Sequence, residues 1–235
     1  VTGDSSISST DAGVKLIADG GAVNQKGDIT AHTSVLVRSK GAITLDGTVT
    51  SGTTTDVISQ SNIALNGNVK SGGNTTLDSQ TGATVSGSIN SQAEVGITNH
   101  TSGIIDITGD VTGKNDITVY NGNATLQPGT IAISNTGSLT STDGSVSVTS
   151  ASGDISMPHT ANKGDVKAKL DITISTGTGN VALDGIVNAE RDILINSDTG
   201  KIDVGTNTVA TDVTAGRNVT IQTKNDTADS NINVY

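Results

Sequence analysis

Asp46 and Asp184 close two similar strings, Gly41-Ala42-Ile43-Thr44-Leu45-Asp46-Gly47 and Gly179-Asn180-Val181-Ala182-Leu183-Asp184-Gly185. Asp106, Asp110 and Asp116 lie close in sequence and could share a face. Glycoside cleavage needs two carboxyls at a defined separation. Asn66 and Ser86 take the carboxylate's place in intervening turns, which favours solvated turn residues over an acid/base pair. His32, His100 and His159 have no neighbour at a ligand spacing, and the chain has no Cys to join them in a metal site. Neither Gly20-Gly21 nor Gly72-Gly73-Asn74 continues into the calcium nonapeptide Gly-Gly-x-Gly-x-Asp. A Gly-x-Ser-x-Gly elbow and a Gly-Lys-Ser/Thr phosphate loop are both missing. No catalytic residue, metal or cofactor is therefore expected.

Two adhesive signals remain. Lys26-Gly27-Asp28 and Lys163-Gly164-Asp165 resemble an integrin-type tripeptide, although both glycines have a structural account below. Asn-x-Ser/Thr sequons begin at Asn74, Asn99, Asn123, Asn218 and Asn225, about as many as the Asn, Ser and Thr content produces by chance.

The elements that position these residues follow from a repeat. Gly27, Gly47, Gly67 and Gly87 are 20 residues apart. Each is followed by a β-branched residue (Ile29, Val49, Val69, Ile89), then by the pairs Val35/Val37, Thr55/Val57, Thr75/Leu77 and Val95/Ile97. A small polar residue comes next: Ser39, Ser59, Ser79, Asn99. Gly109, Gly164 and Gly185 repeat the frame with Val119, Ile174 and Ile195 in the later hydrophobic positions. Gly137 leads to Val146 and Val148 with one residue extra. Longer intervals after Gly109 and Gly137 place inserts near 122–134 and 151–163, which take in Pro128, Met157, Pro158 and His159. Beyond Gly185, Ile202, Val204, Val209, Val219 and Ile221 still alternate, with longer spacers.

The apolar offsets are all even, and even offsets in extended chain point to one side. Period 2, abundant Thr and β-branched residues, and recurrent Gly argue against helix. A coil returning to register every 20 residues fits better than a meander, with equivalent residues stacked about 4.8 Å apart. Val37, Val57, Leu77 and Ile97 then form an internal column, and Ser39, Ser59, Ser79 and Asn99 a polar ladder. The glycines are expected at inward corners where a Cβ would crowd a narrow core. The fold class is all-β: a right-handed parallel β-helix of about ten turns, on the order of 50 Å long. It forms one repeat domain, 1–235.

Composition agrees. The chain of 235 residues is 32% hydrophobic and 1% aromatic, with no Phe or Trp, so thin aliphatic layers replace a thick core. At net charge −10 it repels nucleic acid and anionic lipid, and no apolar run is long enough for membrane insertion. No secretory leader opens the sequence. Repeat-like stretches at both ends make a segment of a longer chain the economical reading. A subunit that stacks end to end through open edges is the alternative.

The stretch Val213-Thr214-Ala215-Gly216-Arg217-Asn218-Val219-Thr220-Ile221-Gln222 resembles the haemagglutinin repeats of two-partner secretion exoproteins. Asp116-Ile117-Thr118-Val119, Asp171-Ile172-Thr173-Ile174-Ser175 and Asp192-Ile193-Leu194-Ile195-Asn196-Ser197 are weaker copies, and the two strings ending in Gly47 and Gly185 resemble the companion half. The resemblance spans nearly the whole chain. It implies a filamentous adhesin or contact-dependent inhibition stick, exported through an outer-membrane transporter partner and displayed at the bacterial cell surface or secreted. The secretion domain with its Asn-Pro motifs and a toxin-like domain are not among these residues. Three functions are therefore carried forward. The first is a non-catalytic shaft that holds a binding or toxic region away from the cell, with a host or target-cell receptor or glycan as partner. The second is a self-assembling filament subunit, and the third a polysaccharide-active β-helix.

Overall fold

The computed structural model describes residues 1–127, 129–159, 163–205, 211–224 and 231–235. Val209, Pro128 and the sequon Asn225 lie outside them. The chain winds as a parallel β-solenoid of about 10 turns with a mean spacing of ~22 residues, and no helix forms among the described residues. Each coil contributes one strand to each of three sheets. Among the described residues these hold 11, 10 and 10 strands in strict every-third order, as in Ile43–Leu45, Val49–Ser51 and Thr55–Ser59 of one coil. The Thr- and β-branched-rich segments suit a pleated surface, and most are cut after three to five residues by a polar or Gly corner.

Register turns the sequence period into columns. Val37 pairs with Val57, Val57 with Leu77, Leu77 with Ile97 and Ile97 with Val119. Val148, Ile174 and Ile195 continue the line, and all eight side chains are fully buried. A second column in the first sheet carries Leu45, Leu65, Val85 and Ile107. Burying each such aliphatic side chain is worth about 1.5–3 kcal/mol, and stacking like on like fills the interior without aromatics. Replacing Leu77 by alanine is expected to cost about 3 kcal/mol. A melt shifted by less than a degree would show that the column relaxes around the gap.

Polar ladders close the corners. Ser59 Oγ donates to the Gly41 carbonyl of the preceding coil at 2.9 Å and accepts the Ser61 N–H at 2.9 Å. Ser39 bonds Gly21 O in the same way. Asn99 and Asn121 continue this ladder through side chains, Asn99 Nδ2 lying 3.2 Å from Asn121 Oδ1. A parallel ladder runs along the ends of the second sheet, where Ser51 and Ser71 hydroxyls meet at 3.1 Å.

The glycines sit at corners between the first and second sheets, but the reason differs from core crowding. A Cβ on Gly47, Gly67, Gly87, Gly109 or Gly137 would overlap the backbone of the preceding glycine, one coil away along the axis. Gly27 meets Ser5 backbone in the same way, and Gly185 meets Gly164. The constraint is therefore axial: two backbones approach too closely for any side chain between them. Gly164 differs: its Cβ would meet the Pro158 carbonyl of its own insert, and its φ of +91° is one that L side chains rarely adopt.

The inserts are also relocated. Strand Ile131–Asn135 belongs to the first sheet, so the first insert is confined to 122–130, between the third and first sheets. Strand Asp154–Met157 likewise continues the first sheet, with Met157 buried in register with Leu183. The second insert therefore spans 158–165, between the first and second sheets, and Met157 is core.

Candidate functional surface

The carboxylates singled out in the sequence do not converge. Asp106 lies within Ile105–Ile107 of the first sheet, Asp110 precedes the second-sheet strand Val111–Gly113, and Asp116 precedes the third-sheet strand Ile117–Asn121. They face three different sides of one coil. Asp46 instead accepts a hydrogen bond from Asn66 Nδ2 of the next coil at 2.7 Å.

Most of the others have a backbone partner one coil on. Asp28 Oδ1 accepts the Thr48 N–H at 2.8 Å, Asp110 that of Ser138 at 3.1 Å and Asp165 that of Ile186 at 3.0 Å. At the next corner Asp116 accepts from Ser145 at 2.7 Å, Asp171 from Asp192 at 3.1 Å and Asp192 from Asn218 at 3.2 Å. Asp154 accepts from Asn180 at 2.7 Å. Each residue stands just before a strand or, for Asp154 and Asp192, at its first position, where the next coil offers a corner N–H that would otherwise lack a partner. This role was missed in the sequence. Its signal was present as a recurring Asp or Asn one place before a β-branched residue.

The same bonds account for both Lys-Gly-Asp tripeptides. Their glycines belong to the close-packed corner and their aspartates are occupied. Asp165 is nearly buried, with Lys167 Nζ at 3.0 Å and His159 Nδ1 at 3.8 Å. His32 is exposed, and His100 Nε2 lies 2.8 Å from Asp78. No cluster of three or more candidate metal ligands occurs among the described residues. Of the sequons, Asn99 and Asn123 are buried, which leaves Asn74 and Asn218 exposed.

Surface depressions are shallow. A trough of about 680 Å³ crosses Asp171, Thr173, Asp192, Leu194, Arg217 and Thr220 on the third sheet. Its carboxylates are already engaged: Asp171 with Arg191 Nε at 3.4 Å, Asp192 with Arg217. Desolvation pushes Asp192 upward, but hydrogen bonds from Arg217 and Asn218 outweigh it and hold the carboxyl below its ordinary 3.8. The Lys224 ammonium does the same for Asp198, helped by Asn196. Asp203 is raised by desolvation but lowered further by Asn233 and Lys201. A depressed carboxyl stabilises the fold above its unfolded value and loses that contribution as pH falls through the folded one. Side-chain NMR titration is expected to place all three below the ordinary aspartate midpoint. Unshifted midpoints would mean that these bonds do not persist in solution.

The first insert folds back rather than projecting. Asn123 Oδ1 accepts from Thr125 N at 3.1 Å, and Leu126 packs against the core. Leu126 N donates to Ser152 Oγ at 3.1 Å and Gly129 N to Asp154 Oδ1 at 3.1 Å, both in the next coil. Exposed Ile104 and Ile131 flank it. Comparison with protein-family models, curated proteins and solved structures returned no match. The fold is compatible with a repeat shaft.

Proposed function

We propose that this chain is a non-catalytic shaft segment of a secreted or surface-displayed bacterial filamentous adhesin, which carries a binding or toxic region away from the cell. The observation that carries this reading is the unbroken parallel register of the aliphatic column from Val37 to Ile195. A column that persists through both inserts suits a spacer, because each coil contacts only its neighbours and reach grows linearly with coil number. Engagement of the carboxylates with backbone and cations supports a structural rather than catalytic use. The proposed partners are an outer-membrane transporter during export and a host or target-cell receptor or glycan, with no nucleic acid and no membrane insertion.

Removing one whole coil, residues 48–67, is expected to leave a folded protein shorter by about 4.8 Å, measurable by small-angle scattering. Removing residues 48–57 is expected to break the register and abolish folding. Equal tolerance of both deletions would sink the shaft reading. The inserts are the proposed contact surface, since departures from a regular shaft are where specificity can be placed. Deleting 122–130 is expected to abolish cell binding by the displayed protein, and intact binding removes the insert from that role.

A second reading has its own observation. In the last described coil the inward residues Val219, Ile232 and Val234 are 46%, 42% and 65% exposed. A second copy of the chain stacked on that surface would bury these side chains. Concentration-dependent fibres in electron micrographs would favour the copy, and a monomer at high concentration would exclude it.

A further inference from the structure

The side-chain staples between coils differ in chemistry along the axis. Between residues 68 and 94 the corner acceptors bonded to a backbone N–H of the next coil are amides: Asn68 Oδ1 with Ser88 N at 2.9 Å, Asn74 Oδ1 with Glu94 N at 3.2 Å. From residue 105 onward they are mostly carboxylates: Asp110, Asp116, Asp154, Asp165, Asp171 and Asp192. Asp28 is a carboxylate staple before the amide stretch, and Asn180, which accepts Lys201 N at 3.0 Å, is an amide staple in the later coils.

We propose that the coils from residue 105 onward form an acid-responsive half of the solenoid, whose corners loosen when the inter-coil carboxylates are protonated, while the amide-stapled corners between residues 68 and 94 hold. The physical cause is the acceptor. A hydrogen bond to an ionised carboxylate is roughly twice as strong as a neutral one, so protonation weakens each staple, whereas an amide oxygen is unchanged in the same range.

The surrounding charges act in the same direction. Asp110 faces Lys163 Nζ at 3.9 Å. Asp165 faces Lys167 and His159, Asp171 faces Arg191, and Asp192 faces Arg217. Asp154 lies within electrostatic range of Lys201. Acid removes the attraction in each of these contacts and leaves the cations facing uncharged groups. Like charges are also present: Asp171 and Asp192 stand at the starts of paired strands of successive coils, and Glu94 and Asp116 at the starts of another such pair. Protonation relieves that repulsion, which is the opposing effect. It acts at these pairs, whereas all six staples lose acceptor strength.

Hydrogen-exchange protection factors, corrected for intrinsic rates, test the idea amide by amide at pH 7 and pH 3. Protection at Ser138, Ser145, Asn180, Ile186, Asp192 and Asn218 is expected to fall about tenfold relative to Ser88 and Glu94. Two internal controls separate acceptor chemistry from position along the chain: Thr48, stapled by Asp28, should follow the acid-sensitive set, and Lys201, stapled by Asn180, should lose less than its neighbours. The combined variant Asp110→Asn, Asp116→Asn, Asp171→Asn and Asp192→Asn is expected to remove the pH dependence at its four partner amides. Uniform loss in both halves, retained protection throughout, or an unchanged pH response in a folded variant would each overturn the proposal. If the variant does not fold, the comparison among wild-type amides decides alone.

Discussion

Replacing Gly67 by alanine is expected to destabilise the solenoid by about 3 kcal/mol, and replacing it by valine by little more. The added methyl would lie against the Gly47 carbonyl, with Asp46 O also in range, and backbone atoms of a hydrogen-bonded coil cannot move aside as a flexible side chain can. The damage is therefore done by the first carbon. If the corner were instead crowded by the core, alanine would be tolerated and valine would not. Equal effects of the two substitutions in urea melts support the axial contact, and a neutral Gly67→Ala removes it. Gly96 supplies the control. It lies mid-strand with nothing within 4 Å of an added Cβ, so Gly96→Ala is expected to stabilise slightly, by about 0.5 kcal/mol through the unfolded chain. Thr211 marks where the axial constraint ends: it takes the glycine's place before the strand Val213–Ala215, and its hydroxyl reaches the Leu183 carbonyl at 3.2 Å.

The columns were legible because two periods coincide. Alternation assigns Val37, Val57, Leu77 and Ile97 to one side of extended chain, and the repeat of 20 places them above one another. No knowledge of the corners is needed for that. The position of the inserts was less legible, since an interval between glycines counts extra residues without saying which corner holds them. Ile155 and Met157 alternate like any core pair, and that local pattern was the better guide to where the first sheet resumes.

The aspartates were harder to read. Each staple joins residues a full coil apart, such as Asp28 with Thr48 or Asp116 with Ser145. In sequence nothing marks the carboxylate as engaged, because its partner is a backbone N–H that any residue but proline can supply. Residue type alone therefore suggested solvated turn residues at positions whose work is to join coils. The same blindness applied to the glycines: a Cβ-free position was evident, but the atom it avoids belongs to another coil.

Asn135→Leu is the substitution expected to stabilise most, by about 2 kcal/mol. Asn135 registers with Ile107, in the column that carries Leu45, Leu65 and Val85, and it is fully buried. Neither its Nδ2 nor its Oδ1 has a hydrogen-bond partner. Gln25 holds the equivalent place in an earlier coil, but its longer side chain reaches the Ser5 and Gly27 carbonyls at 2.7 and 3.0 Å. Asn135 is one methylene shorter and makes neither bond. Leucine branches at the same carbon as asparagine, matches the other aliphatic members of the column and leaves no amide to desolvate. The gain should appear as a higher midpoint in urea with an unchanged slope. Asn135→Ala separates the two contributions, because it removes the amide but opens a gap, and its stability should fall below that of the leucine variant. If Asn135→Leu instead lowers the midpoint, the site does not accommodate the larger leucine or an internal water satisfies the amide, and the unpartnered amide is not the cost argued here.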